Sequence, residues 1–426
     1  MLDIQFIRDN PEVVKNACKN KQLESSIIDE LLAVDEKRRK LQYEVDNLRQ
    51  TANQNADAVK KEVQANGKPS AELITNGKEI KTELQGIEPE LKLAEEAFTT
   101  LMYSVPNVPA DEVPIGKDEE GNVVVRTVGE LPKLDFEPKQ HHELMEALDL
   151  VDTVRAVRIG GFRSYFLKNE GLLLEQAILN YSLKLLRNEG FTAMSAPILV
   201  NKEAMEGTGY FPWGKEDHYK TQDGQILAGT AEVALTAYHM GETLSEADLP
   251  VKMVGISPCF RREVGTHGKD TQGIIRVHQF NKVEQVVYTI ADEDETQKWH
   301  EKMTGYAEQL LHDLGLPYQV LLMCTGDMGA GQRKKYDIET WFPGQNKYRE
   351  THSASYFNDF QSRRLGIKYQ AKDGTTKHVF TLNNTMAATP RLLAAVIENY
   401  QQADGSIIVP EVLQDFVGTE IITLKK

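Results

Sequence analysis

Two segments, VKMVGISPCFRRE and RVHQFNKVEQVVYT, combine arginines, carboxylates and an aromatic ring with strand-forming apolar residues. Their composition predicts two antiparallel strands joined by a long loop that contains Gly265, Gly268 and Gly273. Because side chains alternate along a strand, we expect Arg261 and Glu263 to share one face. A second shared face is expected for Arg276, His278, Phe280, Lys282 and Glu284.

Such a surface gathers cations, an aromatic ring and carboxylates. Arginine forks hold phosphate oxygens, Phe280 can stack on a purine, and Glu284 can pair with an ammonium or a hydroxyl group. A solvated strand face laced with ion pairs explains the same residues, and the hairpin alone does not separate the two interpretations.

A third arginine, Arg391, opens an apolar helical pattern after an alternating strand in HVFTLNNTMAATPRLLAAVIENYQ. Thr389 and Pro390 suit the N-cap and the first turn of that helix. Positive charge at a helix N-terminus, which already attracts anions, makes a triphosphate site. An exposed surface arginine is the alternative.

Small polar groups occur in two other places. Alternation in YRETHSASYFNDFQSRR predicts a strand on which Glu350 and His352 share a face, and Glu350 with Ser353 offers oxygen ligands suited to Mg2+. Thr230 lies where the strand-like QILAG run meets a helix, and Thr385 lies just before the helix of Arg391. The structural alternatives are a helix cap at Thr230 and a turn at Thr385.

The N-terminal region predicts two long helices. Apolar residues three or four apart form a seam in each helix: Leu41, Val45, Leu48, Ala52, Ala56 and Val59 in the first, and Ile80, Leu84, Ile87, Leu91, Ala94, Phe98 and Leu101 in the second. The NGKPS segment at 66–70 predicts a chain reversal, and Pro89 a kink. The expected product is an antiparallel coiled-coil arm of about 50 Å, which serves as a dimerisation strut or as a probe for a large partner.

Prolines at 106, 109 and 114 mark a linker out of this arm. We therefore predict an arm over residues 1–105 and one large α+β domain over residues 106–426. Mixed strand and helix signals continue through the second region without a short-period repeat.

Composition restricts the class of partner. With 49 Lys and Arg against 64 Asp and Glu, the net charge is -15. Because the average surface repels a polyanion, such a partner can bind only at local clusters of Lys and Arg. The start MLDIQFIRDNPEVV lacks a signal-peptide pattern, and we expect a soluble, cytoplasmic protein. Cys18, Cys259 and Cys324 lack disulfide or zinc spacing.

The segment CFRREVGTHGKDTQGIIRVHQFNKVEQ resembles motif 2 of class II aminoacyl-tRNA synthetases, in the form seen in seryl-tRNA synthetases of the non-zinc type. The match is long and ungapped. The resemblance implies that Arg261 binds the α-phosphate, Glu263 the adenine amino group and Arg276 the outer phosphates. Phe280 would lie against adenine, and Glu284 would contact serine.

Four further segments resemble the same family. The segment around Arg391 resembles motif 3, whose arginine contacts the γ-phosphate, and TAE at 230–232 resembles a serine-recognising signature. ETHS at 350–353 resembles the family's E-V-S-S segment, with Thr and His in place of Val and Ser. The segment from Gly160 to Val200 resembles motif 1, a long helix followed by a strand around Pro197, which forms the homodimer interface in the family. Without the family, that helix simply packs an apolar face on a core.

The resemblance thereby assigns three sets of residues. ATP would be bound by Arg261, Arg262, Glu263, Arg276, Phe280, Glu350, Thr351, His352, Ser353 and Arg391. Serine would be bound by Thr230, Ala231, Glu232, Arg261, Glu284 and Thr385. Mg2+ would be held by Glu350 and Ser353. Arg261 and Arg391 would be catalytic through alignment and charge neutralisation. His352 either contacts ATP or replaces a buried hydroxyl.

Nearly the whole chain is covered by this resemblance, which implies a class II antiparallel sheet with flanking helices. It implies a serine–tRNA ligase that forms seryl-adenylate from serine and ATP and then loads tRNA(Ser), with tRNA(Sec) as a further acceptor. In the family the arm contacts the long extra arm of the tRNA. Candidates for those contacts are Lys37, Arg38, Arg39, Lys40, Arg49, Lys60 and Lys61, for which a solvated helix face is the alternative.

Two rival classes share this core. Ligases that load an amino acid onto a carrier protein lack the arm, which this chain retains. A non-catalytic relative would be expected to lose some of Arg261, Glu263, Glu284 and Arg391, and all four are present.

Overall fold

A computed structural model describes residues 1–426 except 266, 267, 269, 271, 425 and 426. Four of these positions belong to the segment that resembles motif 2, so part of its loop lies outside the described residues. The chain divides into two compact units. One comprises residues 2–19 and 23–105, and the other comprises residue 1, residues 20–22 and residues 106–426.

Both long and short helices occur along the chain. They are α1 (Ile4–Asp9), α2 (Pro11–Asn20), α3 (Ser26–Asn66), α4 (Ala71–Ser104), α5 (His141–Ala147), α6 (Thr153–Gly160), α7 (Asn169–Asn188), α8 (Lys202–Thr208), α9 (Glu232–Thr236), α10 (Glu293–Asp313), α11 (Phe360–Leu365), α12 (Arg391–Asn399) and α13 (Glu411–Val417).

The strands fall into one large sheet and several short pairs. They are β1 (Val123–Val128), β2 (Val151–Asp152), β3 (Phe166–Leu167), β4 (Thr192–Ser195), β5 (Leu199–Val200), β6 (Ile226–Leu227), β7 (Thr243–Ser245), β8 (Val251–Phe260), β9 (Gln279–Thr289), β10 (Tyr318–Leu322), β11 (Lys334–Phe342), β12 (Lys347–Asn358), β13 (Lys368–Gln370), β14 (Thr376–His378), β15 (Phe380–Ala388), β16 (Ile407–Ile408) and β17 (Ile421–Ile422).

The first unit is built on the two long helices that the seams predict. Helix α3 ends at Gly67, whose φ of 75° is the left-handed conformation that glycine adopts without strain. Ser70 then caps α4, because its side chain accepts from the amide of Leu73. The chain therefore reverses within the predicted NGKPS segment, and α4 continues through Pro89.

The seams are buried only at one end. Leu41 and Val45 of α3 pack against Leu91 and Ala94 of α4. Farther along, Ala56 is exposed, which makes its assignment to the seam wrong. Asn55 faces the partner helix instead and donates from Nδ2 to Leu73 O at 3.1 Å, so a polar contact replaces an apolar one.

An eight-stranded sheet dominates the second unit, in the order β1-β10-β11-β12-β15-β9-β8-β4. All neighbouring pairs are antiparallel except β4 with β8, and helices such as α7 and α10 pack their apolar faces on it. The predicted α+β class is thereby confirmed.

The hairpin of β8 and β9 is antiparallel, as predicted, but both strands are shorter than expected. β8 ends at Phe260 and β9 begins at Gln279, so Arg261 and Arg276 lie in the loop. Glu263 has a φ of 55°, which is incompatible with an extended strand. The expected strand face shared by Arg261 and Glu263 is therefore wrong, although both side chains line the same pocket.

A bulge interrupts the alternation in β12. Glu350 pairs with Glu339 and His352 pairs with Ile338, which leaves Thr351 as an extra residue. A bulge changes the faces to which successive side chains point. Strict alternation, on which the expected relation of Glu350 and His352 rested, therefore does not hold there.

Helix α12 begins at Arg391, as predicted, but its cap differs from the prediction. Pro390 occupies the N-cap position, and no side chain caps the helix. Thr389 instead donates from Oγ1 to Glu175 Oε1 at 2.7 Å, which ties β15 to α7. Pro197, expected within a strand after α7, lies between β4 and β5.

Within the described ranges, no helix is long and apolar enough to span a membrane. The three cysteines are buried, and none of them forms a disulfide bond. No cluster of three or more His, Cys, Asp or Glu side chains suited to a metal ion occurs in that same part of the chain.

Burial of His300 gives a pH prediction for stability. The side chain is 1% exposed, Nε2 lies 3.0 Å from Ala354 O, and burial lowers its pKa from 6.5 to about 4. Between these two values the unfolded chain binds more protons than the folded chain. Acidification from about pH 6.5 should therefore lower the free energy of unfolding by about 1.4 kcal/mol per pH unit through this group.

Denaturant unfolding at a series of pH values would measure that slope. The His300→Gln variant keeps a donor for Ala354 O but does not titrate, so its stability should fall less steeply with acid. An identical slope in the variant and the wild type would contradict the assignment.

Candidate active site

One pocket of the second unit gathers side chains from four elements: the loop between β8 and β9, the start of β9, the bulged part of β12, and the junction of β15 with α12. Its lining consists of Arg261, Glu263, Ile275, Arg276, Val277, Phe280, Lys282, Glu350, Thr351, His352, Thr385, Ala388, Thr389, Pro390 and Arg391. Most of the residues assigned to ATP by the resemblance are therefore brought together.

Two arginines in this pocket are held by carboxylates. Arg391 donates from NH1 to Glu350 Oε2 at 2.9 Å and to Glu350 O at 3.1 Å. Arg276 donates from NH1 to Glu263 Oε2 at 2.6 Å, and its Nε lies 3.6 Å from Asp270 Oδ2. Both guanidinium groups are thus oriented by partners that leave their remaining donors for a ligand.

The charge state of Glu350 depends on these neighbours. Burial alone favours the neutral acid, but Arg391 and Lys335 outweigh burial and lower the pKa of Glu350 to about 2. The carboxylate is therefore ionised at neutral pH.

Arg261 lies against the ring of Phe280, with the guanidinium carbon 5.2 Å from the ring centroid. Its backbone amide donates to His278 O at 3.0 Å, which continues the hairpin ladder by one bond beyond the strands. A flat aromatic surface and a cation are thereby adjacent, as stacking on a purine next to a phosphate requires.

Arg262 is the one arginine of the predicted set that lies elsewhere. Its side chain is 46% exposed and donates to Glu216 O at 2.9 Å, away from the residues that line the pocket. Consecutive residues of an extended loop point in different directions, and only Arg261 turns inwards.

A small polar cluster closes the pocket at the sheet. The register of β15 against β9 sets Thr385 opposite Glu284. Thr385 donates to Glu284 Oε2 at 3.3 Å, and Lys282 forms an ion pair with the same carboxylate. Glu284 and Lys282 are 1% and 5% exposed, so this charged pair is almost fully removed from bulk water.

A second carboxylate, Glu232, approaches this cluster from α9. Tyr210 donates to its Oε2 at 2.8 Å, and Gln361 donates to its Oε1 at 3.1 Å. Burial and the charge of Glu284 raise the pKa of Glu232 to about 7. The two carboxylates are therefore close enough to interact electrostatically in a dry environment.

Glycine at position 255 permits this approach. A Cβ there would lie 2.9 Å from Leu235 Cδ1 and 3.2 Å from Ala231 Cβ, so a side chain on β8 would push α9 outwards. Ala231 is buried in that contact, whereas Thr230 accepts at Oγ1 from the amide of Glu232 at 3.1 Å. Thr230 thus acts as a local support for the first residue of α9.

The two residues predicted to bind a metal ion, Glu350 and Ser353, have different surroundings. Ser353 lies opposite Asp337 in the sheet, and Lys335 forms a 2.9 Å ion pair with Asp337. Burial raises the pKa of Asp337 to about 6. Only Glu350 of the predicted pair lines the pocket, and its ionised oxygen is a suitable ligand for a hard cation.

His352 is buried within the wall of the pocket. Its Nδ1 lies 2.8 Å from Thr351 Oγ1, which in turn lies 2.7 Å from Thr340 Oγ1. Burial lowers the pKa of His352 to about 4, so the ring is neutral at pH 7. A neutral imidazole in a chain of hydroxyls fits the expectation that it replaces a buried hydroxyl group.

The sequence analysis missed several residues that surround the predicted ones: Tyr210, Asp270, Arg349 and Gln361. Lys282 was placed on the same strand face as Glu284 but was given no role. Tyr210 and Gln361 come from other segments, and no pattern in the sequence indicates that Arg349 Nη2 pairs with Asp270 Oδ1 at 2.8 Å.

Comparison with known proteins places this site in a family. A family profile described as the seryl-tRNA synthetase N-terminal domain matches residues 1–109, and one described as the tRNA synthetase class II core domain (G, H, P, S and T) matches residues 217–400. Both profiles agree with the motifs identified in the sequence.

Individual relatives match over the full length. The chain is 44% identical over 419 residues to the serine–tRNA ligase of Deinococcus radiodurans, with 98% of each protein covered. It is also similar to the crystal structure of seryl-tRNA synthetase from Pyrococcus horikoshii complexed with ATP, with 38% identity, a TM-score of 0.92 and 100% of both chains covered.

A eukaryotic structure agrees. The cytoplasmic serine–tRNA ligase of Naegleria fowleri in complex with AMP is 32% identical, with a TM-score of 0.87 and coverage of 100% of this chain and 99% of that one. The predicted class II architecture is therefore confirmed. With 44% identity over 98% of both proteins, the chain belongs to the seryl-tRNA synthetase family of class II aminoacyl-tRNA synthetases.

Proposed function

We propose that the protein activates L-serine with ATP, releasing pyrophosphate, and transfers the seryl group to tRNA. The single observation that supports this best is the continuity of one pocket, in which three arginines and Phe280 adjoin the buried cluster of Glu284 and Thr385. The first group suits a nucleoside triphosphate, and the second suits a small molecule with an ammonium and a hydroxyl group.

The activation step needs alignment more than a protein nucleophile. A serine carboxylate oxygen attacks the α-phosphorus of ATP, the bond to the bridging oxygen breaks, and pyrophosphate carries away the electron pair. Arg261 is proposed to neutralise the α-phosphate, and Arg391 the γ-phosphate, because their guanidinium groups lie on the pocket wall. Glu263, Arg276 and Phe280 complete the nucleotide site.

Mg2+ fits the donor chemistry of this wall. We propose that Glu350 would hold it, with the phosphates of ATP supplying further oxygens, whereas Ser353, the second residue that the resemblance implies, lies opposite Asp337 and does not line the pocket. Bound there, the ion would neutralise charge on the phosphates. The low pKa of Glu350 keeps an anionic oxygen at this position across the physiological pH range.

Serine selection is proposed to rest on the buried polar groups of this cluster. Thr385 and Glu284, which pair with each other and, for Glu284, with Lys282, would bind a substrate hydroxyl or ammonium, and Glu232 adds a second acceptor. An amino acid without the hydroxyl would leave these buried groups unpaired and would be rejected for that reason.

Exchange of labelled pyrophosphate into ATP, with each amino acid in turn and without tRNA, tests the activation step. We expect exchange with serine alone. Exchange with a different amino acid would contradict the serine assignment, and no exchange with any amino acid would favour a non-catalytic relative.

Replacement of Arg391 tests the nucleotide site. Arg391→Ala removes a charge-assisted contact to the triphosphate, so kcat/KM for ATP in the exchange assay should fall on the order of 100-fold. Arg363→Ala is a matched control, because Arg363 has a similar exposure and pairs with Asp359 at 2.7 Å outside this pocket. The control should change kcat/KM by less than about twofold, and equal losses in both variants would argue against the role of Arg391.

The arm is proposed to bind tRNA, so that residues 1–105 form the tRNA-binding unit and residues 106–426 the catalytic unit. Several basic candidates already have carboxylate partners: Arg38 and Arg39 contact Asp35, and Arg49 contacts Glu88. Lys60 is paired in the same way, with Asp57 Oδ1 at 3.5 Å, so Lys61, which also lies beyond the apolar contact of the arm, is the better candidate for a backbone phosphate.

Shortening the arm distinguishes serine activation from tRNA charging. Replacing residues 49–88 by a short Gly-Asn turn keeps the packed pair of Val45 and Leu91 but removes the distal helices. Serine-dependent pyrophosphate exchange should stay near the wild-type rate, whereas charging of tRNA(Ser) should fall at least about 100-fold through loss of the phosphate contacts. Unchanged charging would exclude the arm as a tRNA-binding element.

Two finer features complete the proposal. The same charging assay with a tRNA(Sec) transcript would test the second expected acceptor.

A homodimer through the segment from Gly160 to Val200 is proposed because α7 exposes Leu172 and Leu173 at its start. A location in the cytoplasm stays a prediction from the sequence.

A further inference from the structure

We propose that His141 and Glu398 are positioning residues that hold the returning end of the loop between β8 and β9 in its ATP-binding shape. The inference rests on the proposed function, because ATP is the ligand whose affinity it concerns. The two residues are 257 positions apart, on α5 and near the end of α12, and neither lines the pocket.

Glu398 is a fully buried carboxylate with a complete set of donors. Its Oε1 accepts from the backbone amide of His141 at 3.0 Å and lies 2.8 Å from His141 Nδ1. Its Oε2 accepts from the amide of Gly344 at 3.0 Å, and Gln345 Nε2 lies 3.2 Å from Oε1. A buried charge held by this many donors has one orientation, so it can orient the ring beside it.

The other ring nitrogen of His141 contacts the loop. The backbone amide of Ile274 donates to Nε2 at 3.4 Å. An amide nitrogen can only donate, so Nε2 must carry a lone pair, and the ring proton must lie on Nδ1 and point to Glu398. Glu398 thereby selects the tautomer that lets His141 accept from the loop, as a carboxylate does for a metal-binding histidine.

Close packing supports a specific contact at this point. Gly273 has a φ of 72°, and a Cβ at this residue would lie 2.1 Å from His141 Nε2. The loop backbone therefore rests directly on the ring, and the hydrogen bond to Ile274 fixes where it rests.

The contact is connected to two arginines of the nucleotide site. Immediately after Ile274, the carbonyl of Ile275 accepts from Arg391 Nε at 3.4 Å, and Arg276 pairs with Glu263. Glu398 lies about two turns after Arg391 on α12. Helix α12 therefore holds this short segment directly through Arg391 and indirectly through His141, and a displaced Ile274 would disturb the contact of Arg391 with Ile275 and the position of Arg276.

Two substitutions of His141 test its two ring nitrogens separately. Asparagine places a donor near the position of Nδ1 and offers nothing at Nε2, whereas glutamine reaches the position of Nε2 with an acceptor and loses the donor to Glu398. His141→Asn should raise KM for ATP on the order of fivefold, the effect of one lost hydrogen bond. Its KM for serine and its melting temperature should stay close to the wild-type values.

His141→Gln is the matched control. It should keep a near-wild-type KM for ATP and lose thermal stability, because Glu398 loses its buried partner. A wild-type KM for ATP in His141→Asn, an equal rise in KM for ATP and for serine, or an equal rise in both variants would overturn the proposal.

A measurement on the wild-type protein does not depend on activity or on the folding of a variant. In histidine labelled with nitrogen-15, the resonances lost in His141→Gln identify the ring, and their shifts report which nitrogen is protonated. Protonation of Nδ1 alone supports the relay, and protonation of Nε2 overturns it. If wild-type protein failed to exchange pyrophosphate with serine, the proposed function would fail while this test of the contact kept its meaning.

Discussion

The ion pair of Arg391 with Glu350 is the interaction on which the rest of the site depends. It joins the first residue of α12 to the bulged strand β12, and it keeps the carboxylate ionised, because the arginine lowers the pKa of Glu350 to about 2. A free guanidinium group at a helix N-terminus would repel the partial charge of the helix, and the carboxylate offsets that repulsion. Because Glu350 is also the proposed metal ligand, the same contact aligns the two positive charges that an incoming triphosphate needs.

The register between β15 and β9 positions the residues at the serine end of the pocket, as the ion pair of Arg391 with Glu350 positions those at the nucleotide end. β15 and β9 are antiparallel, and a slip of one residue would turn every side chain to the opposite face. The observed pairing sets Thr385 opposite Glu284, and the same strand β9 carries Phe280 four residues earlier. One strand therefore fixes the distance between the nucleotide surface and the serine cluster, and the empty face at Gly255 lets α9 bring Glu232 beside them. The serine end of the pocket is consequently positioned by the sheet.

The residues that carry charge were predictable from the sequence, whereas the contacts that orient them were not. Arg261, Arg391 and Glu284 were found because their types and spacing are unusual beside strand and helix patterns. Two expectations failed where the backbone departs from regular geometry: Glu263 adopts a positive φ, and the bulge at Thr351 breaks the alternation of β12. Periodicity describes regular strands only, and the local deviations at a binding site are set by tertiary contacts that a linear pattern does not contain.

The residues that orient the ligand-binding side chains come from many segments of the chain, and this has a physical reason. An arginine or a carboxylate that must bind a ligand needs orientation without full neutralisation, so its partner has to come from a different element and leave part of the group free. Asp270, a residue of the loop between β8 and β9, meets this requirement for Arg276 and is itself held by Arg349, whereas Glu398 and His141 support the backbone of the same loop. Neither pair contains a residue with an unusual local spacing. Their positions are set by how α5, α12 and β12 pack, and therefore they emerge only when the sheet and its helices are assembled.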